Sequence, residues 1–155
     1  KAPSFLKLTL YKTLIRPKLE YAALVWDPVS ANLIHSVEMV QTNSTRFIRS
    51  NYNRTASISA MKSSLNLPSL ASRRQFLRLC LFHKIYHHPQ LHNELISLPD
   101  YVSPRLDHHH KVGVPLCRTN GCHTSFLPRT SVEWNHLPAS IATIQDHELF
   151  ENAFS

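Results

Sequence analysis

Apolar residues recur every three or four positions through most of the first 87 residues. Leu6, Leu10 and Leu14, then Leu19, Ala22 and Ala23, form one stripe of helical period, so the spacing predicts a helix from Ser4 to about Trp26. Pro17 should kink or split it at Arg16, because proline lacks the amide hydrogen that the helix needs. Trp26-Asp27-Pro28-Val29-Ser30 reads as a turn, with Ser30 as N-cap of a second helix from about Ala31 to Ser50. Leu33, Val37, Val40 and Phe47, with Ile34 and Ile48 alongside, are its expected buried face. A short helix follows over Ile58–Leu65. Ser69 then caps a long helix from Leu70 to about His87, with Leu70, Phe76, Leu77, Cys80, Leu81 and Ile85 facing inward and Pro89 as its stop.

The pattern changes near Pro99. Four prolines and both glycines fall between Leu98 and Arg129, and the helical period fades. That stretch reads as loop, with room for two short strands near Leu106–Val112 and His123–Leu127. Helices return beyond it. Thr130 and Glu133 have capping-box spacing, Trp134 and Leu137 are candidates for burial, and a last helix runs from Asp146 to Phe154 with Leu149, Phe150 and Phe154 inward. The expected fold is mainly α: a helical, thumb-like bundle over residues 1–98, then a small irregular C-terminal segment over 99–155.

Charge sharpens this division. Residues 1–90 hold 13 Lys or Arg and three acids, whereas residues 91–155 hold four and seven. A basic helical half is the electrostatic footprint of a polyanion binder. Arg49 and Arg54 stand at the end of the second helix and in its loop, as does Arg46, a weaker candidate. Arg73, Arg74, Arg78 and Lys84 lie on the long helix. Arg74 and Arg78 are one turn apart and repel by a few tenths of a kcal/mol, an arrangement that makes most sense facing an anion. These residues are the expected nucleic-acid contacts.

Two glycines are too few for a phosphate-cradling loop. No run of 18 apolar residues is present, so no membrane partner is expected. Three cysteines cannot form a complete disulfide framework, and their scarcity fits a reducing, intracellular setting. His87, His88, His92, His108, His109, His110, Cys117, Cys122 and His123 invite a zinc reading. The spacing lacks a second Cys pair or a spaced His pair, and adjacent Cys122 and His123 are awkward joint ligands, so no metal site is expected. Cys with His123 as a nucleophilic pair lacks an orienting third group.

The order of motifs resembles the region after the polymerase core in reverse transcriptases of non-LTR retrotransposons, the jockey-like LINE elements. Arg16-Pro17, Leu19-Glu20-Tyr21, Trp26-Asp27-Pro28, Val37-Glu38, Val40-Gln41, Arg46-Phe47-Ile48, Leu65, Leu70 and Arg73-Arg74 fit that family's pattern. So do Ser125 to Thr130 and Trp134-Asn135-His136-Leu137-Pro138. The resemblance covers nearly the whole chain and implies the thumb and C-terminal part of an RNA-directed DNA polymerase, as a piece of a longer protein.

The family's catalytic pair of adjacent aspartates is missing: Asp27, Asp100, Asp107 and Asp146 stand apart. Two-metal phosphoryl transfer needs clustered carboxylates, so no catalytic residue and no cofactor are expected here, although the parent polymerase would use magnesium. The implied partners are an RNA/DNA primer-template or hybrid, gripped by its phosphates, and the palm and fingers of the parent chain. The implied location is the cytoplasm and nucleus. Glu20, Tyr21, Trp26 and Glu38 read as structural, with Tyr21 in the core and Trp26 pinning the first two helices. The alternative is a helical protein-interaction module whose basic face meets an acidic partner.

Overall fold

The computed structural model describes residues 2–103 and 108–153. Among these the fold is mainly α, with no strand. Two compact units form, Lys1–Gln75 and Phe76–Ser155.

The N-terminal unit begins with α1 (Ser4–Leu10), a π-helical turn (Tyr11–Ile15) and α2 (Arg16–Glu20). The wide turn is the chain's answer to Pro17. A regular helix would drive the proline ring into the carbonyl four residues back. Here the Arg16 amide instead reaches five residues back, to the Tyr11 carbonyl. The helix survives Pro17 and breaks later, where Ala22 takes the left-handed conformation at φ 51° before α3 (Ala23–Trp26).

Helix α4 (Ala31–Arg49) matches its expected length, but only part of its expected face is buried, Ile48 above all. Gln41, Thr45 and Ile48 are enclosed, whereas Leu33, Val40 and Phe47 are exposed and Ile34 and Val37 half-buried. Both side chains find an acceptor: Gln41 Nε2 donates to the Pro68 carbonyl at 3.0 Å, and Thr45 Oγ1 donates to the Gln41 carbonyl at 2.8 Å. The Leu6, Leu10 and Leu14 stripe of the first helix also faces outward. The core is Tyr11, Ile48, Leu65 and Leu67, with Leu8 packed against it. Tyr21, expected inside, is 80% exposed. Helix α5 (Ile58–Ser64) is capped by Ser57 Oγ, which accepts from the Ala60 amide.

Helix α6 (Leu70–His87) contains the division between the units. Ser69 Oγ accepts from the Ser72 amide, the expected cap. From Phe76 onward the helix belongs to the C-terminal unit, with α7 (Pro89–Leu95), α8 (Asn120–His123), α9 (Phe126–Asn135), α10 (Ala139–Ala142) and α11 (His147–Asn152). Leu79, Cys80 and Phe82 share one core with Val112, Trp134 and Phe150. A boundary at residue 98 would cut that core in two, so the expected division does not coincide with the packing.

Pro89 begins α7 at its first position, where a missing amide costs nothing, and is a start signal as well as a stop. Of the expected strands, residues 106 and 107 lie outside the described residues, 108–112 form no strand, and 123–127 run from the end of α8 through a turn into the start of α9. Thr130 and Glu133 lie inside α9, whose N-cap position is Ser125, so they form no capping box. Asp146 Oδ1 caps α11, accepting from the Leu149 amide at 2.9 Å. Phe150 is buried and Leu149 exposed; Phe154 lies outside the described residues.

Trp134 is fully buried and donates from Nε1 to the His110 carbonyl at 2.8 Å. Its neighbour Asn135 holds both polar atoms of the Val112 backbone, each at 2.8 Å. One Trp-Asn pair therefore fastens the irregular segment to α9. Cys117 and Cys122 form a disulfide and Cys80 is a buried thiol, so an odd cysteine is left unpaired, as the count requires.

Candidate nucleic-acid interface

A long helix enclosed over most of its circumference must place some of its cations inside. A buried guanidinium then needs an anion beside it. Arg74 is 1% exposed, and its Nε donates to Asp27 Oδ1 at 2.6 Å, with the Trp26 ring centre 5.9 Å from Cζ. Arg78 is 3% exposed and grips Glu133 with two atoms, Nη2 to Oε1 at 2.6 Å and Nε to Oε2 at 3.3 Å. Arg73 is half-buried and holds Glu20 with Nε and with Nη2, the latter at 3.0 Å. This bond to Glu20 makes the Arg73 guanidinium hold its proton still more tightly.

The anions that Arg74 and Arg78 require are therefore carboxylates of the chain itself. Arg73, Arg74 and Arg78, expected on a phosphate-facing surface, are structural cations. The reason is tertiary: Glu20, Asp27 and Glu133 lie 53, 47 and 55 positions from their arginines.

Glu38, expected to be structural, has two tasks. Its Oε1 accepts from the Ala71 amide at 3.0 Å, at the positive end of α6, and its Oε2 pairs with Lys62 at 3.2 Å. All three carboxylates of the N-terminal unit are thereby turned to cations or amides of the same unit.

What remains outward is strongly basic. Among the described residues, Lys7, Lys12, Lys18, Arg46, Arg49 and Arg54 take part in no ion pair. Four of them gather around the turn that ends α4. Lys7 Nζ donates to Ser50 Oγ at 2.8 Å and to the Phe47 carbonyl at 3.1 Å, and lies 4.6 Å from the centre of the Phe47 ring. Arg46 Nη1 donates to the Asn53 carbonyl at 2.9 Å, Arg49 Nη2 binds Ser64 Oγ, and Arg54 is exposed in the turn. The C-terminal carbonyls of α4 draw cations to this place. Arg49 and Arg54 thus keep the surface position expected of them. Lys84 is exposed as well, but on the part of α6 within the C-terminal unit. Lys7 was missed in the sequence, where it stands 40 positions from the helix end it joins.

The same unit exposes apolar residues at helical spacing: Leu6, Leu10 and Leu14 before α2, and Leu33, Val40 and Phe47 on α4. The Cys117–Cys122 disulfide removes both thiols from any shared ligand set, and among the described residues no three His, Cys, Asp or Glu side chains are placed to hold a metal ion. No described helix is long and apolar enough to cross a membrane. In comparisons with known proteins, no family model, curated protein or solved structure matches this chain.

Proposed function

We propose that the N-terminal unit grips a nucleic-acid backbone without reading its sequence, as the thumb of a retroelement reverse transcriptase would. The observation that carries this reading is the sorting of charge. Glu20, Asp27 and Glu38 are all turned inward, while Lys7, Arg46, Arg49 and Arg54 gather at the end of α4. Phosphate contacts position a duplex and need cations, not an acid–base pair. The resemblance of the ordered motifs to non-LTR reverse transcriptases supports the choice of an RNA–DNA hybrid as substrate. The chemistry of synthesis would belong to a palm with its magnesium ions, and this chain would act by holding the product.

The test is binding to a labelled RNA–DNA hybrid across about 50–300 mM salt, for the natural chain and for Arg49→Ala/Arg54→Ala. Each lost phosphate contact should lower the logarithmic salt slope by about 1, so the double variant should lose about 2. Salt-independent binding, or equal slopes for the two proteins, would refute the proposal.

A second reading rests on a separate observation, the outward stripes of Leu6, Leu10, Leu14 and Leu33, Val40, Phe47. Apolar rows flanked by Lys7, Lys12 and Lys18 suit a helix with an acidic rim. An acidic amphipathic peptide bound nearly independently of salt, and lost on Leu10→Ser/Leu14→Ser, would favour this interaction module over the thumb.

A further inference from the structure

Helices α6, α9 and α11 meet at a histidine that is nearly closed to water. His83 is 1% exposed. Its ring lies against Phe150, with centres 4.2 Å apart, and 6.2 Å from Trp134. Both ring nitrogens have neighbours. Nε2 is 2.7 Å from the Ile144 carbonyl, and Nδ1 is 3.2 Å from Nδ1 of His147.

These distances dictate the hydrogens. A carbonyl oxygen can only accept, so His83 Nε2 carries a hydrogen. A neutral imidazole has one, so His83 Nδ1 is bare and accepts from His147 Nδ1. His147 Nδ1 therefore carries a hydrogen. The other nitrogen of His147 lies 2.9 Å from Glu151 Oε1. The hydrogens then run one way, from His147 to His83 to the Ile144 carbonyl.

We propose that this run is an acid-sensitive latch that holds α10 and α11 on α6 and releases them on mild acidification. A second proton on His83 would set two N–H groups against each other at 3.2 Å, at a ring closed to solvent. The titratable and charged groups around it act in both directions. From α6, His87 stands with its ring 4.5 Å away; from α11 and its cap come His147, Glu151 and Asp146; α9 offers the ring of Trp134. Burial pushes the His83 pKa down, and His147 pushes it further, while the Ile144 carbonyl and Asp146 oppose. Burial also lowers His87 and His110, with neighbouring histidines, among them His83 and His92 beside His87, adding to the effect.

The sign follows directly. A histidine depressed in the folded state takes up its proton later than in the unfolded chain. Stability is therefore full above the ordinary value of about 6.5 and is lost as pH falls below it toward the folded values.

The test uses the whole chain with 15N-labelled histidines. At about pH 7.5, ring signals should place the hydrogen of His83 on Nε2 and a hydrogen on Nδ1 of His147. Amide exchange, corrected for intrinsic rates, should show the protection of Ala139–Asn152 falling about tenfold or more by about pH 5.5, while Ala31–Arg49 changes little. His83→Gln retains a donor for the Ile144 carbonyl but cannot titrate, so it should flatten this dependence. If that variant fails to fold, His147→Gln, at a quarter-exposed site, should flatten it instead. Constant protection of the last two helices, dependence that survives in the folded variant, or a hydrogen on His83 Nδ1 would overturn the latch.

Discussion

Replacing Arg74 by methionine separates a structural cation from a phosphate ligand. The change keeps the length of the side chain and removes the guanidinium from Asp27, whose side chain is 8% exposed. Breaking a buried pair from one side leaves an uncompensated charge and costs about 3–5 kcal/mol. Small domains have about 5–15 kcal/mol in all. For a unit of this size each kcal/mol moves the melting temperature by roughly 4–8 °C, so a drop of roughly 12 °C or more is expected. Thermal and urea unfolding followed by far-ultraviolet circular dichroism measure it. Arg74→Met/Asp27→Leu removes both charges and should recover much of the loss, because apolar replacement of a whole buried pair is often neutral. A surface phosphate ligand would behave in the opposite way. If Arg74→Met changed stability by less than about 0.5 kcal/mol and weakened hybrid binding, the structural assignment of this arginine would be refuted.

Leu10→Ser and Leu14→Ser probe the outward stripe. At 45% and 59% exposure, each should change unfolding free energy by less than about 0.5 kcal/mol, against the 2–5 kcal/mol typical of truncating an enclosed leucine. A loss in that larger range on urea denaturation would show that the stripe is covered. Burial pushes the Cys80 thiol up to about 11, so at neutral pH almost no thiolate is present, and the side chain is enclosed as well. An aromatic disulfide reagent should leave the native chain unlabelled and titrate one thiol after denaturation; rapid native labelling would contradict this packing.

Much of the helical architecture was legible in the spacing of apolar residues and in local cap chemistry. The bounds of α4 and α6, the Ser69 cap and the burial of Trp134 all follow from signals a few residues apart. Such signals act within one or two helical turns, where the backbone alone brings residues together. The choice between two apolar stripes was not legible. Leu33, Val40 and Phe47 suit a core as well as Ile48 does, and only the packing of neighbouring helices decided which side closed, with Gln41 and Thr45 carried inside.

Charge shows the same division more sharply. Composition revealed a surplus of cations in the first half, and that surplus stands. Which cations face solvent depended on three carboxylates about 50 positions away, brought against α6 by folding. A buried guanidinium and a surface guanidinium are identical as letters in a sequence. Their difference is the water excluded from one of them and the anion that replaces it, and both are supplied by the tertiary structure alone.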